Sequence, residues 1–347
     1  MRISNIKIGS MYEPLIVPEI SANHNNSINT VFKMISEAKK AGAKIIKLQT
    51  YKPETITFNS RKKRFIFNNK NEKWYGKSMY DLFKKAHTPW IWHKKIFNYC
   101  RKINIICFST PFDETAVDFL EKLKTPLYKI SSFECCDLNL VKKIALTNKP
   151  IIISTGMANL KEIKESIKVI KKYSKAKFAI LKCTSSYPAP INELNLKTIK
   201  DLKKKFKCEV GLSDHSIGLT APLVAISYGA TIIEKHYCLK KNLGIDSEFS
   251  LDPKGLKNLI RESKNAWLAK GRVNYGVTKS EKEAYKNRRS LYAVKKIKKN
   301  EKINFDNVRS IRPSGGLEPK FLKKIVGKKI LRTVNPGDPI TWKLIHV

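Results

Sequence analysis

The chain is short of acidic residues, of arginine, of histidine and of long apolar runs, and each shortage narrows what it can be. No stretch of eighteen consecutive apolar residues occurs in its 347 positions, so no membrane-spanning helix is expected. The first twenty residues, MRISNIKIGSMYEPLIVPEI, hold no continuous apolar segment of the kind a secretory leader needs. Seven cysteines are an odd number and none forms a Cys-x-x-Cys pair. Cys107, Cys183, Cys208 and Cys238 fall in apolar runs, where a reduced and buried thiol is the ordinary state, and the expected compartment is the cytoplasm. Acids number 29 against 69 lysines and arginines, a net charge of +40. That surplus would suit a nucleic-acid binder. Yet only eleven of the basic residues are arginine, the residue whose planar fork reads base edges. The lysines are spread along the whole chain, as in EAKKAGAK and DLKKKFKC, on what read as outer helix faces. Such a spread is a solvated, lysine-rich surface, and no nucleic-acid partner is expected.

What is present is a rhythm. LIVPEIS (15–21), KIIKLQTY (44–51), IICFSTPF (105–112) and LYKISSF (127–133) read as strands. So do PIIISTG (150–156), FAILKCTSSY (178–187), CEVGLSD (208–214) and TIIEKHY (231–237). Between them, segments such as NTVFKMISEAKKAG (29–42) and LKEIKESIKVIKKYSK (160–175) repeat apolar residues every three or four positions, as a helix requires. Eight strands separated by helices predict an α/β fold, a parallel (β/α)8 barrel over residues 1–268. Residues 52–104 are too long for one crossover and read as an extended basic loop followed by two helices. A polar stretch, 269–288, is expected to link the barrel to a small module at 289–347 with turns at Gly315, Gly316 and Pro336–Gly337. A module of about sixty residues is near the lower limit for folding alone, so it is expected to lean on the barrel or on another subunit.

Catalytic groups of such barrels gather at the C-terminal ends of the strands. Here those ends carry Glu19, Lys47, Gln49, Ser109, Thr110, Lys129, Ser131, Ser132, Glu134, Ser154 and Thr155. The later strands add Lys182, Thr184, Ser185, Ser186, Tyr187, Ser213, Asp214, His215, Glu234, Lys235 and His236. Side chains alternate along a strand, so about half of these face away from the barrel mouth. His215 and His236 lie 21 residues apart, at matching places after two apolar runs. Each alone could be a core or surface histidine; two at equivalent ends of neighbouring strands favour a shared divalent ion. Lys47, Lys129 and Lys182 lie within apolar strands and need anionic company, for which Glu19, Glu134 and Glu234 are candidates. The hydroxyls either cap the following helices or join the lysines in a cradle for phosphate and carboxylate. The residues by themselves predict a metal-dependent barrel enzyme for a phosphorylated or carboxylated small molecule.

Several stretches carry a closer likeness. ISANHNNS (20–27), AGAKIIKLQTY (41–51), FSTPFDETAVDFL (108–120), YKISSFE (128–134), IIISTGMA (151–158), LKCTSSYPAP (181–190), GLSDHSIG (211–218) and IIEKHYCL (232–239) resemble the sialic acid synthase family. RPSGGLEPKFLKKIVGKKI resembles that family's antifreeze-like (SAF) module, and the likeness runs in order over nearly the whole chain. The resemblance implies condensation of phosphoenolpyruvate with an N-acetylated sugar aldehyde, giving a nine-carbon 2-keto acid and phosphate. It implies a divalent ion (Mn2+, Co2+ or Mg2+) on His215 and His236, and Glu19 and Glu234 as the carboxylates that handle water. It further implies that Lys47, Thr110, Lys129, Ser132, Ser154, Thr184 and Ser213 hold phosphoenolpyruvate; Thr184 stands where many relatives have asparagine. Gln49, Glu134, Tyr187 and Asp246 would face the sugar, and a domain-swapped homodimer would bring Arg312 to the sugar of the other subunit.

The acceptor is read from one loop. Family members that make N-acetylneuraminate carry a Gly-Pro-Asp-His-like stretch after the last histidine, where this chain has NLGIDSEFSLDP (242–253). That loop, SANHNNS and RPSGGLEPKF look most like the branch that makes pseudaminic acid, which implies 2,4-diacetamido-2,4,6-trideoxy-L-altrose as acceptor. The N-acetylneuraminate and legionaminate branches are the alternative within the family. A lysine-rich RNA-binding protein is the alternative outside it, and it leaves eight polar strand ends without a purpose.

Overall fold

The computed structural model describes residues 1–68 and 74–346; residues 69–73 of the basic 52–104 stretch, and residue 347, lie outside the described residues. The chain divides into two compact units, Met1–Gly271 and Arg272–Val347. The first begins with a hairpin, β1 (Arg2–Ile3) against β2 (Ile6–Lys7). Eight parallel strands then close on themselves: β3 (Leu15–Glu19), β4 (Ile45–Thr50), β5 (Ile106–Pro111), β6 (Tyr128–Ile130), β7 (Ile151–Ser154), β8 (Phe178–Cys183), β9 (Glu209–Asp214) and β10 (Ile232–His236). β10 pairs with β3 to complete the barrel. These are the eight strands expected, each shorter by one or more residues than its run in the sequence.

The helices start and stop where local chemistry directs. Ser27 accepts from the Thr30 amide at the head of Ile28–Lys40, and Asn159 with Glu162 forms a capping box ahead of Leu160–Tyr173. Lysines fill the last turns of both helices, where the negative end of the helix dipole favours them. The 52–104 stretch holds a four-residue helix (Pro53–Ile56) and a 3-10 turn (Lys63–Phe65), then the two expected helices, Met79–Ala86 and Trp90–Lys102.

Alternation along the strands sorts the barrel interior into levels. The lower level is apolar: Val17, Ile45, Phe108, Leu127, Ile152, Leu181 and Ile232 pack together with Ile3 and Ile8 from the opening hairpin. That hairpin has no counterpart in the expected elements, because two-residue strands are too short to show a period. The residues two positions further along each strand, from Glu19 to Glu234, are mainly charged or hydroxylic and form the floor of the mouth. Outside the barrel, the other strand face and the helices enclose the main core.

In the second unit β11 (Ser290–Ala293) pairs antiparallel with β12 (Val308–Ile311), and Leu291, Ile297, Ile303, Val308, Ile325, Ile330 and Ile340 form its core. No helix among the described residues is long and apolar enough to cross a membrane. All seven cysteines are free; Cys107, Cys183 and Cys238 are buried as expected, while Cys208 is half-buried. Phe108 is wholly enclosed in the lower barrel level. Phe108→Ala should therefore cost about 3–5 kcal/mol, read as a lowered denaturation midpoint with an unchanged slope.

Candidate active site

Strand register turns the 21-residue spacing of the histidines into contact. β9 and β10 pair with Ser213 beside Glu234 and Asp214 beside Lys235, so His215 and His236 emerge side by side. Their ring centroids are 5.3 Å apart with planes at 72°. Two nitrogen–metal bonds of about 2.1 Å each, plus the ring radii, span that gap. His215 Nδ1 lies 3.0 Å from the Thr184 carbonyl, which can only accept, so Nδ1 carries the proton and Nε2 is left to ligate. His236 Nδ1 stands 3.5 Å from Asp246 Oδ2, the kind of carboxylate backing that orients a metal-bound imidazole. Burial lowers the pKa of His236 and so favours the neutral, ligating form. Among the described residues no third His, Cys, Asp or Glu completes a ligand cluster with these two. The donor set fits an ion that keeps water or substrate in its remaining positions, and does not fit a closed structural zinc site.

Beneath the histidines lies a layer of buried charge. Lys47 forms an ion pair with Glu19 and lies 3.7 Å from Glu234, while Lys129 lies 3.5 Å from Glu234 on its other side. Ser213 donates to Glu234 at 3.0 Å, Lys47 donates to Thr110 Oγ1 at 3.1 Å, and the Ser21 amide donates to Glu19 at 2.7 Å. Burial pushes the Glu234 carboxyl up, but the positive charges of Lys129 and Lys47 outweigh it and hold the group ionised. Burial, helped by the like charge of Lys129, lowers Lys47. The hydroxyl of Ser154 is buried with no protein partner, and a buried polar group in that condition is poised for a ligand. Ser132 accepts from the Gly156 amide at 3.1 Å; a Cβ at 156 would lie 2.3 Å from Ser185 Oγ, so only glycine lets the backbone run so close to these hydroxyls.

The rim links the first and last strands. Gln49 donates to Ser21 Oγ at 3.0 Å, and Ser21 donates to Asp246 at 2.5 Å. Asn23 donates to the Tyr237 carbonyl at 3.0 Å and to Ser250 at 2.8 Å, and accepts from the Asp246 amide at 3.1 Å. The 242–253 loop is thereby fastened to SANHNNS. Tyr187 packs 4.3 Å from the His215 ring, and Phe249 stands 5.0 Å from His236. Glu134 meets the Ser131 hydroxyl, and burial raises its pKa to about 7 despite the opposing charge of Lys129.

Most of the residues singled out in the sequence thus converge on one mouth. Thr184 and Lys182 turn toward each other instead, with Lys182 Nζ 3.4 Å from Thr184 Oγ1 and 2.6 Å from the Cys183 carbonyl. The inward place on β8 belongs to Cys183, whose sulfur lies 3.8 Å from His215 Nδ1. Arg312 belongs to the second unit and is exposed there. Ser21, Asn23, Cys183 and Phe249 are the site residues that sequence reasoning missed. Strand parity was the available signal for Cys183, which is in phase with the inward-facing Leu181.

The raised pKa of Glu134 makes a stability prediction. A carboxyl that titrates near 7 when folded and near 4.5 when unfolded contributes stability below about pH 4.5 that is lost as pH rises through 7. Glu134→Gln removes that loss. The variant should melt higher than the parent at pH 8 and show no such advantage at pH 4.5 in thermal scans; a pH-independent difference would contradict this.

The profile of the NeuB family matches residues 34–275, and that of the SAF domain matches residues 288–345. The chain is similar to the pseudaminic acid synthase of Campylobacter jejuni, 44% identical over 94% of each chain. It is also similar to the pseudaminic acid synthase of Helicobacter pylori, 39% identical over 94% of this chain and 96% of that one. Among solved structures it is similar to the N-acetylneuraminic acid synthetase of Leptospira borgpetersenii, with a TM-score of 0.72 and 34% identity over 82% of this chain and 94% of that one. With a closed eight-stranded parallel barrel, two facing histidines and this extent of likeness, the chain belongs to the NeuB family.

Proposed function

We propose that this chain synthesises pseudaminic acid. It joins phosphoenolpyruvate to 2,4-diacetamido-2,4,6-trideoxy-L-altrose with addition of water and release of phosphate. The observation that carries this reading is the buried layer of Lys47 and Lys129 around Glu19 and Glu234, lying directly under two facing histidines. Cations there suit a substrate with both phosphate and carboxylate, and the imidazole pair suits an aldehyde-polarising ion. His215 and His236 would hold that ion (Mn2+, Co2+ or Mg2+), whose chemistry when bound is that of a Lewis acid toward the open-chain aldehyde.

The remaining work falls to the chain. Lys47 and Lys129, with Thr110, Ser132, Ser154 and Ser213, hold phosphoenolpyruvate so that its C3 faces the aldehyde carbon. As the C3–C1 bond forms, C2 becomes electron-poor, and water adds there. Glu234, held ionised by Lys129 and Lys47, and Glu19, paired with Lys47, are placed to accept one proton of that water, which balances the proton the aldehyde oxygen takes up to become a hydroxyl. Phosphate then leaves with the electron pair of its C–O bond and carries off the remaining proton of the added water, and C2 becomes the ketone. Gln49, Glu134, Tyr187 and Asp246 line the acceptor side, and Glu134 can hold or release a proton near neutral pH. In this reading residues 1–268 are the catalytic barrel, 269–288 the linker and 289–347 the antifreeze-like module, working in the cytoplasm where phosphoenolpyruvate is made.

Phosphate release should be followed with phosphoenolpyruvate and three acceptors: the diacetamido sugar, N-acetylmannosamine and the legionaminate precursor. Chelation should abolish turnover and Mn2+ restore it. The diacetamido sugar should give the highest kcat/KM, because a site built for its second acetamido group leaves polar groups unpaired with N-acetylmannosamine. Equal or better use of another sugar overturns the acceptor; salt-dependent RNA binding with no phosphate release for any sugar overturns the synthase.

The SAF unit contributes in trans in this proposal. Arg312 shares a cavity of about 550 Å3 with Arg288 and Arg289, three of the chain's eleven arginines, and such a fork suits carbonyl and hydroxyl acceptors. In a domain-swapped homodimer Arg312 would meet the acetamido sugar of the other subunit. Mixing Arg312→Ala chains with His236→Ala chains should then regain activity that neither has alone. Heterodimers verified by differential tagging that show no gain would reject the arrangement.

A further inference from the structure

We infer that the buried Asp214–Lys235 ion pair positions the two histidines of the proposed metal centre; the inference rests on that centre. Asp214 precedes His215 and Lys235 precedes His236, so by strand alternation the pair lies on the face opposite the mouth. Lys235 Nζ is 2.5 Å from Asp214 Oδ2, and the two side chains are 1% and 0% exposed. The same ammonium donates to the Ser216 carbonyl at 2.5 Å. Asp214 Oδ1 accepts from the Ser216 amide at 2.9 Å and from its hydroxyl at 2.7 Å.

The need for such a tie is visible in the ladder. Its last β9–β10 pair is Asp214 beside Lys235, so His215 lies just past the hydrogen bonds that hold the two strands together. His215 is restrained from the β8 side, through its ring on Thr184 and its carbonyl on the Ala189 amide at 3.1 Å. Toward β10 the restraint is this ion pair, which grips the residues before and after His215 from the residue before His236. A buried ion pair is seldom the most stabilising choice for an enclosed site, since apolar residues of similar volume often do as well. What it supplies is a directional link, and the groups it links are the two ligands.

The test is Mn2+ titration of metal-free protein followed by electron paramagnetic resonance, with thermal melting in parallel. The variants are Lys235→Met, Asp214→Asn and the double Asp214→Leu/Lys235→Met. The double variant should stay folded yet bind Mn2+ about 10–100-fold more weakly, the range seen when groups behind metal ligands are lost. In pulsed spectra the nitrogen modulation from two imidazoles should fall toward that from one. A folded double variant with parental affinity and two-nitrogen spectra overturns the inference and leaves a purely structural ion pair. Where the double variant does not fold, isosteric Asp214→Asn decides: a loss of about tenfold supports positioning, and unchanged affinity refutes it. Parent protein that binds no Mn2+ overturns the metal centre and this inference together; parental binding with unaltered variants overturns only the inference.

Discussion

Four charged side chains that water cannot reach set the terms for the barrel. Lys47, Lys129, Glu19 and Glu234 are each 5% exposed or less, and none could remain charged there without the others. Their mutual contacts require the ends of β3, β4, β6 and β10 to stay in fixed register, because a shift of one residue would turn a charge into the helix layer. The apolar level below, from Val17 to Ile232, keeps water from entering under them. Fold and site are therefore one construction. The same alternation that builds a packed lower barrel delivers the polar level two residues later.

This explains why much of the molecule could be read from its sequence. Runs such as KIIKLQTY and PIIISTG combine branched apolar residues with a polar end, and each became a strand whose end opens on the mouth. His215 and His236 were legible because their spacing equals one strand-to-strand step. Parity was harder. Lys182 and Lys235 lie in strand runs of the same kind as those of Lys47 and Lys129, but one residue out of phase with the mouth; Lys182 meets a carbonyl and a hydroxyl, and Lys235 an aspartate and a carbonyl. Cys183 reads as an ordinary core thiol until the inward face of β8 is known.

Other features escaped for a different reason. The opening hairpin pairs only two residues on each side, and its contribution is to fill the barrel base with Ile3 and Ile8. Asn23 sits in a polar loop that any reading would leave to solvent. Its value comes from partners more than 200 residues away, at Tyr237, Asp246 and Ser250, which local pattern cannot reveal. Residues whose contacts are remote in sequence are the ones that only three-dimensional closure makes intelligible.

The junction of Asn23 with the 242–253 loop has a bearing on how such enzymes can be altered. A Cβ at Gly244 would fall 2.7 Å from Asn23 Oδ1 and 2.9 Å from its Cα, and Gly244 adopts a positive φ of 123° that other residues avoid. The two loops are therefore a matched pair, cut to each other like a key and its ward. Transplanting the later loop from a relative with a different acceptor would bring in a shape that the host's first loop cannot receive. The smallest unit that can be exchanged between members is both loops at once, even though they lie at opposite ends of the barrel sequence.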